Sequence, residues 1–252
     1  MHYGRRTRRD SISPMIPVLL SAGALGLLAI VWRRVAAPRA TARVRSDASD
    51  EPEPSAPNAA SGADVQTAQS GTGSIFHRKY EVELTGSSLG AAAVLHLMHG
   101  HLAELSPSML AHFEKSSGRD GALRVGDEYE ITMLGPWNGM VRVSEITDTS
   151  FTLATLDGHP EAGHITFSVT DIASGVVQAQ IESWARSRDA VVETAYATFG
   201  IGKQVQTEAW VTFLQRLCTL AGAAGTTEVQ ITDAEIPVSG DPDTATDHAP
   251  NV

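Results

Sequence analysis

The sequence predicts an α+β fold: an antiparallel sheet followed by one long C-terminal helix and preceded by a single transmembrane helix. Three observations predict it. Residues 15–32 form an eighteen-residue run without a charge. From residue 118 to about 187 the apolar residues recur at a period of two, interrupted by short turn sequences, which is the pattern of a β-meander. After residue 190 the period lengthens, and Val205, Ala209, Trp210, Phe213, Leu214, Leu217 and Leu220 fall on one broad helical face.

The apolar run is closed by arginines on both sides: Arg5, Arg6, Arg8 and Arg9 before it, Arg33 and Arg34 after. As a helix it spans roughly 27 Å, close to the thickness of bilayer hydrocarbon. A cleaved signal peptide would be shorter and uncharged up to its cleavage site, whereas Arg33, Arg34 and Arg39 precede the small residues Ala40-Thr41-Ala42. A retained anchor over 14–32 is therefore expected, behind a basic tail over 1–13. Four arginines before the helix against five after it leave the positive-inside rule nearly balanced. A cytoplasmic N-terminus with the domain outside is the orientation expected.

Composition divides the rest of the chain into unlike pieces. Residues 46–75 hold five acids, three prolines and no Lys or Arg, so 33–75 reads as a disordered linker. Residues 76–222 are periodic and long enough for an independent core. From Ala224 onward there are six acids and no base, so 223–252 reads as a disordered acidic tail. The whole chain carries a formal net charge of −10. An acidic domain argues against nucleic acid, whose binding rests on neutralising phosphates. The basic N-terminus suits anionic lipid head groups instead. The lone Cys218 excludes an internal disulfide and reads as a small core hydrophobe.

Within the domain, Tyr80, Val82 and Leu84 alternate with charge as a first strand, and the Thr85-Gly86-Ser87-Ser88 break precedes a helix over 89–104. Ser106-Pro107 then predicts a second short helix through Met109, Leu110 and Phe113. Five strands come next, marked by Tyr129, Ile131 and Met133; Val141 and Val143; Phe151 and Leu153; Ile165, Phe167 and Val169; and residues 177–184. Their short connections make them antiparallel. The closing helix runs from about 190 to 221, broken near Gly200-Ile201-Gly202, with Gly222 suited to stop it.

Two motifs sharpen this order. Gly-Pro-Trp-Asn-Gly-Met-Val-Arg-Val (135–143) and Ala-Thr-Leu-Asp-Gly-His-Pro-Glu-Ala-Gly-His-Ile-Thr-Phe (154–167) resemble an uncharacterised bacterial and plant family placed in the helix-grip superfamily. That superfamily holds the START, birch-pollen-allergen-like and polyketide-cyclase-like proteins. Gly158, His159, Glu161 and Gly163 match the family pattern, while His164 stands where glutamate is commoner, so an acid–base role for that glutamate does not transfer. The resemblance implies a helix-grip fold, a curved antiparallel sheet wrapped around the long C-terminal helix, with a space between sheet and helix and a small hydrophobic or lipid-like ligand within it. It leaves two alternatives: a cyclase- or dehydratase-like enzyme using His159 and Glu161, and a membrane-proximal scaffold with a filled core.

The candidate ligand-binding residues are Trp137, Arg142, His159, Glu161, His164, Trp184 and Trp210. Asp157, His159, Glu161 and His164 put imidazoles and carboxylates within eight residues, the materials of acid–base chemistry, although Asp-Gly-His-Pro is also plain turn chemistry. Trp184 and Trp210 would wall a cavity, and Arg142, Arg186 or Arg188 would meet an anionic head group if any faced it. His96 and His99 share a helix face, but His101 leaves it and no cysteine completes a set; His112 lies further on. No zinc spacing, phosphate-cradling glycine loop or Ser-His-Asp order occurs, so neither metal nor cofactor is expected.

Overall fold

The computed structural model of the chain describes residues 42–45, 62–133, 138–199, 201–224 and 228–238. The expected anchor at 14–32 and Trp137 lie outside them, and among the described residues no helix is long and apolar enough to cross a membrane.

In chain order the elements are β1 (Ala42–Arg45), β2 (Thr72–Thr85), α1 (Ala91–Gly100), α2 (Leu102–Leu105), β3 (Ala111–Ser117), β4 (Glu128–Met133), β5 (Gly139–Ile146), β6 (Ser150–Thr155), β7 (Glu161–Ala173), β8 (Val176–Ser187), α3 (Ala190–Phe199), α4 (Ile201–Leu220) and β9 (Val229–Ile236). The described strands form one nine-stranded sheet in the order β1-β9-β2-β8-β7-β6-β5-β4-β3. Every neighbouring pair is antiparallel except β1 with β9.

Period two sets the two faces. On β2, Tyr80, Val82 and Leu84 are buried while Glu83 and Thr85 are exposed. Tyr80 pairs with Ile181 and Ile181 with Phe167, so these three point to the same, inner side. Helix α4 lays Trp210, Phe213, Leu214 and Leu217 against that side. The centre of this layer is filled: the Phe151 and Phe167 rings stack at 4.6 Å, and Phe167 meets Phe213 at 5.4 Å and Trp210 at 5.6 Å. Gly222, at φ +67°, ends the helix, with the Ala223 N–H bonded to the Cys218 carbonyl. Cys218 itself is buried among these residues.

The antiparallel meander and the closing helical stretch stand where the sequence puts them, while the break expected near Gly200-Ile201-Gly202 is helical at Ile201 and Gly202, and Gly200 lies outside the described residues. Three expectations need correction. Residues 106–113 are not a helix: one turn on the Pro107 carbonyl leads directly into β3, where Phe113 pairs with Ile131. The spacing of Met109, Leu110 and Phe113 suggested a helix, but Met109 is 64% exposed and only the alternation around Phe113 is used. The acidic tail contains a strand. Val229 and Ile231 are buried on β9, which pairs with β2, so two buried residues at period two outweigh the surrounding acids. The stretch read as linker contributes β1, the start of β2 and a strap at 62–71. In the strap, Gln66 exchanges main-chain bonds with Thr155 and Gly163 across β6 and β7.

Candidate functional site

The turn between β6 and β7 is built around its glycines and His159. Gly158 takes φ +91°, a value open to glycine at little cost. At Gly163 a Cβ would lie 2.0 Å from the Trp184 carbonyl oxygen, so only glycine lets β7 close on β8 there. The His159 ring covers Gly139 so tightly that a Cβ at Gly139 would lie 2.1 Å from its Cδ2. Its Nδ1 lies 3.0 Å from the Glu161 N–H and 2.9 Å from the Glu161 carbonyl oxygen, accepting from the first in one tautomer and donating to the second in the other, while Gln66 Nε2 donates to the carbonyls of His159 and Glu161, each at 2.9 Å. Burial, with the Arg188 charge adding to it, pulls the imidazole down to about 4 against the opposing bond to the Glu161 main chain. His159 is therefore neutral at pH 7, and its bonds to the Glu161 main chain shape the turn.

The Glu161 side chain goes the other way, inward beneath α4. Gln206 Nε2 donates to Glu161 Oε2 at 2.9 Å, and the Gln206 amide oxygen accepts from Arg78 Nη1. Arg78 is only 5% exposed, and its Nε lies 3.4 Å from Asp233 Oδ1 of β9. Burial raises the Glu161 pKa, with the Arg78 charge and the Gln206 bond pulling back. Gly163, Ser183 and Ala185 form the floor here, because each stands an even number of residues from an inward side chain on its strand. Small residues below and long polar ones across them make this end of the layer polar. One turn along α4, the Trp210 indole N–H is buried without a hydrogen-bond partner among the described residues.

The remaining candidates are on the opposite side of the sheet. His164 pairs with Trp184, and Trp184 with His77, so all three face outward. The His77 and Trp184 rings stack at 3.7 Å, and His77 Nε2 meets Glu182 Oε1 at 2.6 Å. Burial lowers the His164 pKa, with Glu182 opposing. Burial would raise Glu182, but the His77 bond and the charges of Lys79, His77 and His164 prevail and hold it low. Arg142 is committed to Glu128 (Nε at 2.9 Å) and to Asp64 of the strap (Nη1 at 2.9 Å).

Of the sequence candidates, Glu161 and Trp210 thus reach the interior, while Trp184, His164 and Arg142 face outward, so the two tryptophans wall no common space. His159 and Glu161 are neighbours in sequence, but the imidazole meets only the Glu161 main chain. Arg186 packs against Gly71, and Arg188 bonds Asp189 and the Gly158 carbonyl. On α1, His96 and His99 approach edge to face, His99 also lies against Phe151, and His101 bonds Glu104. Among the described residues no three His, Cys, Asp or Glu side chains converge as a metal site would require. A cleft of about 190 Å³, lined by Glu130, Asn138, Gly139, Met140, Asp157 and Gly158, opens beside β4 and β5 and not between sheet and helix. Sequence reasoning missed Arg78, Gln206 and Asp233. The signal for Arg78 was a charge at the inward parity of β2, two residues before Tyr80.

Residues 104–218 match a Domain of unknown function (DUF1990), a stretch that contains both sequence motifs. No curated protein matches the chain. Among solved structures it is similar to a conserved protein from Geobacillus kaustophilus (16% identity, 58% of this chain and 95% of that one, TM-score 0.40). It is also similar to truncated norcoclaurine synthase from Thalictrum flavum (12%, 59% and 95%, TM-score 0.43). A third is the major latex-like protein 151 of Panax ginseng (15%, 53% and 98%, TM-score 0.31).

Proposed function

We propose that the domain is a helix-grip binding module for a small hydrophobic or lipid-like ligand, tied to a membrane by residues 14–32 and held outside the cytoplasm. The observation that carries the ligand reading is the polar end beneath α4. Arg78, Gln206 and Glu161 meet there at the limit of an apolar layer, beside the unpartnered Trp210 indole N–H. Buried polar groups at the end of an apolar wall are how a site orients an amphipathic molecule. Native mass spectrometry of the full chain extracted under mild conditions tests this. A single co-purifying apolar species is the expected result, and a chain free of ligand that also takes up none from added lipid would overturn it.

A second reading, a membrane-proximal scaffold, draws on the filled centre of the layer, where Phe151, Phe167 and Phe213 are fully buried and in ring contact. The same experiment separates the two, since a scaffold carries no bound species. Placement is tested by Ser55→Cys. Labelling of intact cells by an impermeant maleimide supports the outside location, and labelling only after lysis overturns it.

A further inference from the structure

We infer that the acidic, proline-rich stretch 46–61, between β1 and the strap, docks across the outer face of the sheet as a built-in peptide on the row centred at Trp184.

The register sets six outward residues side by side. Ala234 pairs with His77, His77 with Trp184, Trp184 with His164, His164 with Ala154, and Ala154 with Arg142. The first five are each between 1% and 8% exposed, although they point away from the helical layer. In the neighbouring outward row, Lys79 and Glu182 keep 24% and 22% of their side-chain exposure. Burial that follows one row across five strands marks a chain laid along it. Both ends of such a chain are in place. At one end β1 stops at Arg45 opposite Thr232, two residues from Ala234. At the other, the strap opens where Asp64 accepts from Arg142 Nη1, then runs beside the row at Thr155, Gly163 and Arg186. Six strand spacings separate β1 from β5, about 29 Å. Sixteen extended residues reach about 50 Å, so the stretch spans the row with slack.

The chemistry of the two sides matches. The stretch holds Asp47, Asp50, Glu51 and Glu53, no base, and Pro52, Pro54 and Pro57. Proline-rich backbone is extended, leaves its carbonyls unbonded, and docks on aromatic surfaces. The row presents the stacked His77 and Trp184 rings. The buried Trp184 indole N–H has no hydrogen-bond partner among the described residues, and a carbonyl of the stretch would accept it. Lys79 and Arg142 flank the row as cations. Glu182 answers part of that charge, at 3.8 Å from Lys79 and 2.6 Å from His77, and both His77 and Lys79 have a further partner besides. The Asp64–Arg142 pair shows the next acid along the chain already bound to this face. Docked there, the stretch keeps any other acidic or proline-rich peptide off the row.

The test joins carboxylates to lysines with a zero-length carbodiimide, on the full chain in zwitterionic nanodiscs, and reads the coupled peptides by mass spectrometry. The chain has three lysines, Lys79, Lys115 and Lys203. Lys79 is expected to join Asp50, Glu51 or Glu53 as well as its neighbour Glu182. Coupling of Lys79 to Glu182 alone, or of the stretch to Lys115 or Lys203 instead, overturns the inference. Coupling of Lys79 to Asp10, Asp241, Asp243 or Asp247 overturns it by naming another segment as the occupant. A second measurement replaces 46–61 by Gly and Ser at equal length. Diethylpyrocarbonate should then modify His77 and His164 several-fold faster while exposed His96 is unchanged, and equal rates overturn the inference. If that chain fails to fold, the coupling pattern of the natural sequence decides.

Discussion

Gln206 of the final helix donates its side-chain Nε2 to the carboxyl of Glu161, the first residue of β7, at 2.9 Å. This bond fastens the N-terminal half of α4 to the sheet at the end where the core gives way to polar side chains. Farther along, the helix is held by Phe213, Leu214 and Leu217, all fully buried. The two halves of one helix are therefore held by different physics, packing at one end and a hydrogen-bonded charge cluster at the other.

Replacing Glu161 by Gln keeps the acceptor and removes the titration. Burial raises the Glu161 pKa in the folded chain above its unfolded value. Its favourable contribution is therefore complete below the unfolded pKa, and is lost as pH rises through the folded one. Glu161→Gln should gain stability relative to wild type as pH is raised from 4 to 8. Thermal melts across that range measure it, and a variant that loses ground with rising pH contradicts the assignment.

His159 works in the opposite sense. Its folded pKa of about 4 lies below the ordinary 6.5, so its contribution is complete above 6.5 and fades as pH falls toward 4. Linkage puts the loss at about 3 kcal/mol over that window. Urea unfolding at pH 7.5, 6 and 4.5 in the Glu161→Gln background isolates the effect. Adding His159→Gln should flatten the decline, and an unaltered slope would assign it to another group.

Gly163→Ala is expected to destabilise the domain by about 3 kcal/mol or more. The added Cβ would meet the Trp184 carbonyl oxygen at 2.0 Å, and φ is +155°. Nothing short of separating β7 from β8 relieves both faults. Chemical denaturation measures the loss; a change below about 1 kcal/mol would mean that the strands part there easily.

The meander and the last helix were legible because each runs long enough for its period to show, as with Phe151, Leu153, Ile165 and Phe167. Strand β9 was not legible, since Val229 and Ile231 sit alone among acids, and their burial comes from β2, far earlier in the chain. The site was half legible. A motif of turn residues drew attention to Glu161, but the motif serves the turn through Gly158, His159 and Gly163. Arg78 and Gln206 belong to no motif; they meet Glu161 only because β2 and α4 are brought together by the fold. Trp184 was misjudged as an interior wall because parity assigns a face only once the strand register is known.

Arg142 ties the strap to the outer face through Asp64 while also holding Glu128. Arg142→Met should leave the core unchanged and loosen the strap. Hydrogen exchange is the measurement. The amides of Val65, Gln66 and Asp157, bonded to Gly62, Thr155 and Asp64, are expected to exchange several-fold faster, with those of Tyr80 and Ile181 unaffected. Equal exchange in wild type and variant would show that the main-chain bonds at Asp64 and Gln66 hold the strap without Arg142.

The boundary at residue 222 suggested by composition can be tested against β9. A chain ended after Gly222 loses Val229 and Ile231, each of which buries apolar surface worth about 1.5–3 kcal/mol. It also uncovers one edge of β2 from Ile75 to Glu81, whose main-chain groups pair with β9. An open edge of that length is a template for association. Truncation after Gly222 should therefore yield chain that aggregates or melts at least about 10 °C lower. A chain ended after Val238 keeps β9 and should melt with the wild type. If both truncations behave alike, β9 contributes nothing measurable, and Arg78 would then have lost its Asp233 neighbour without consequence.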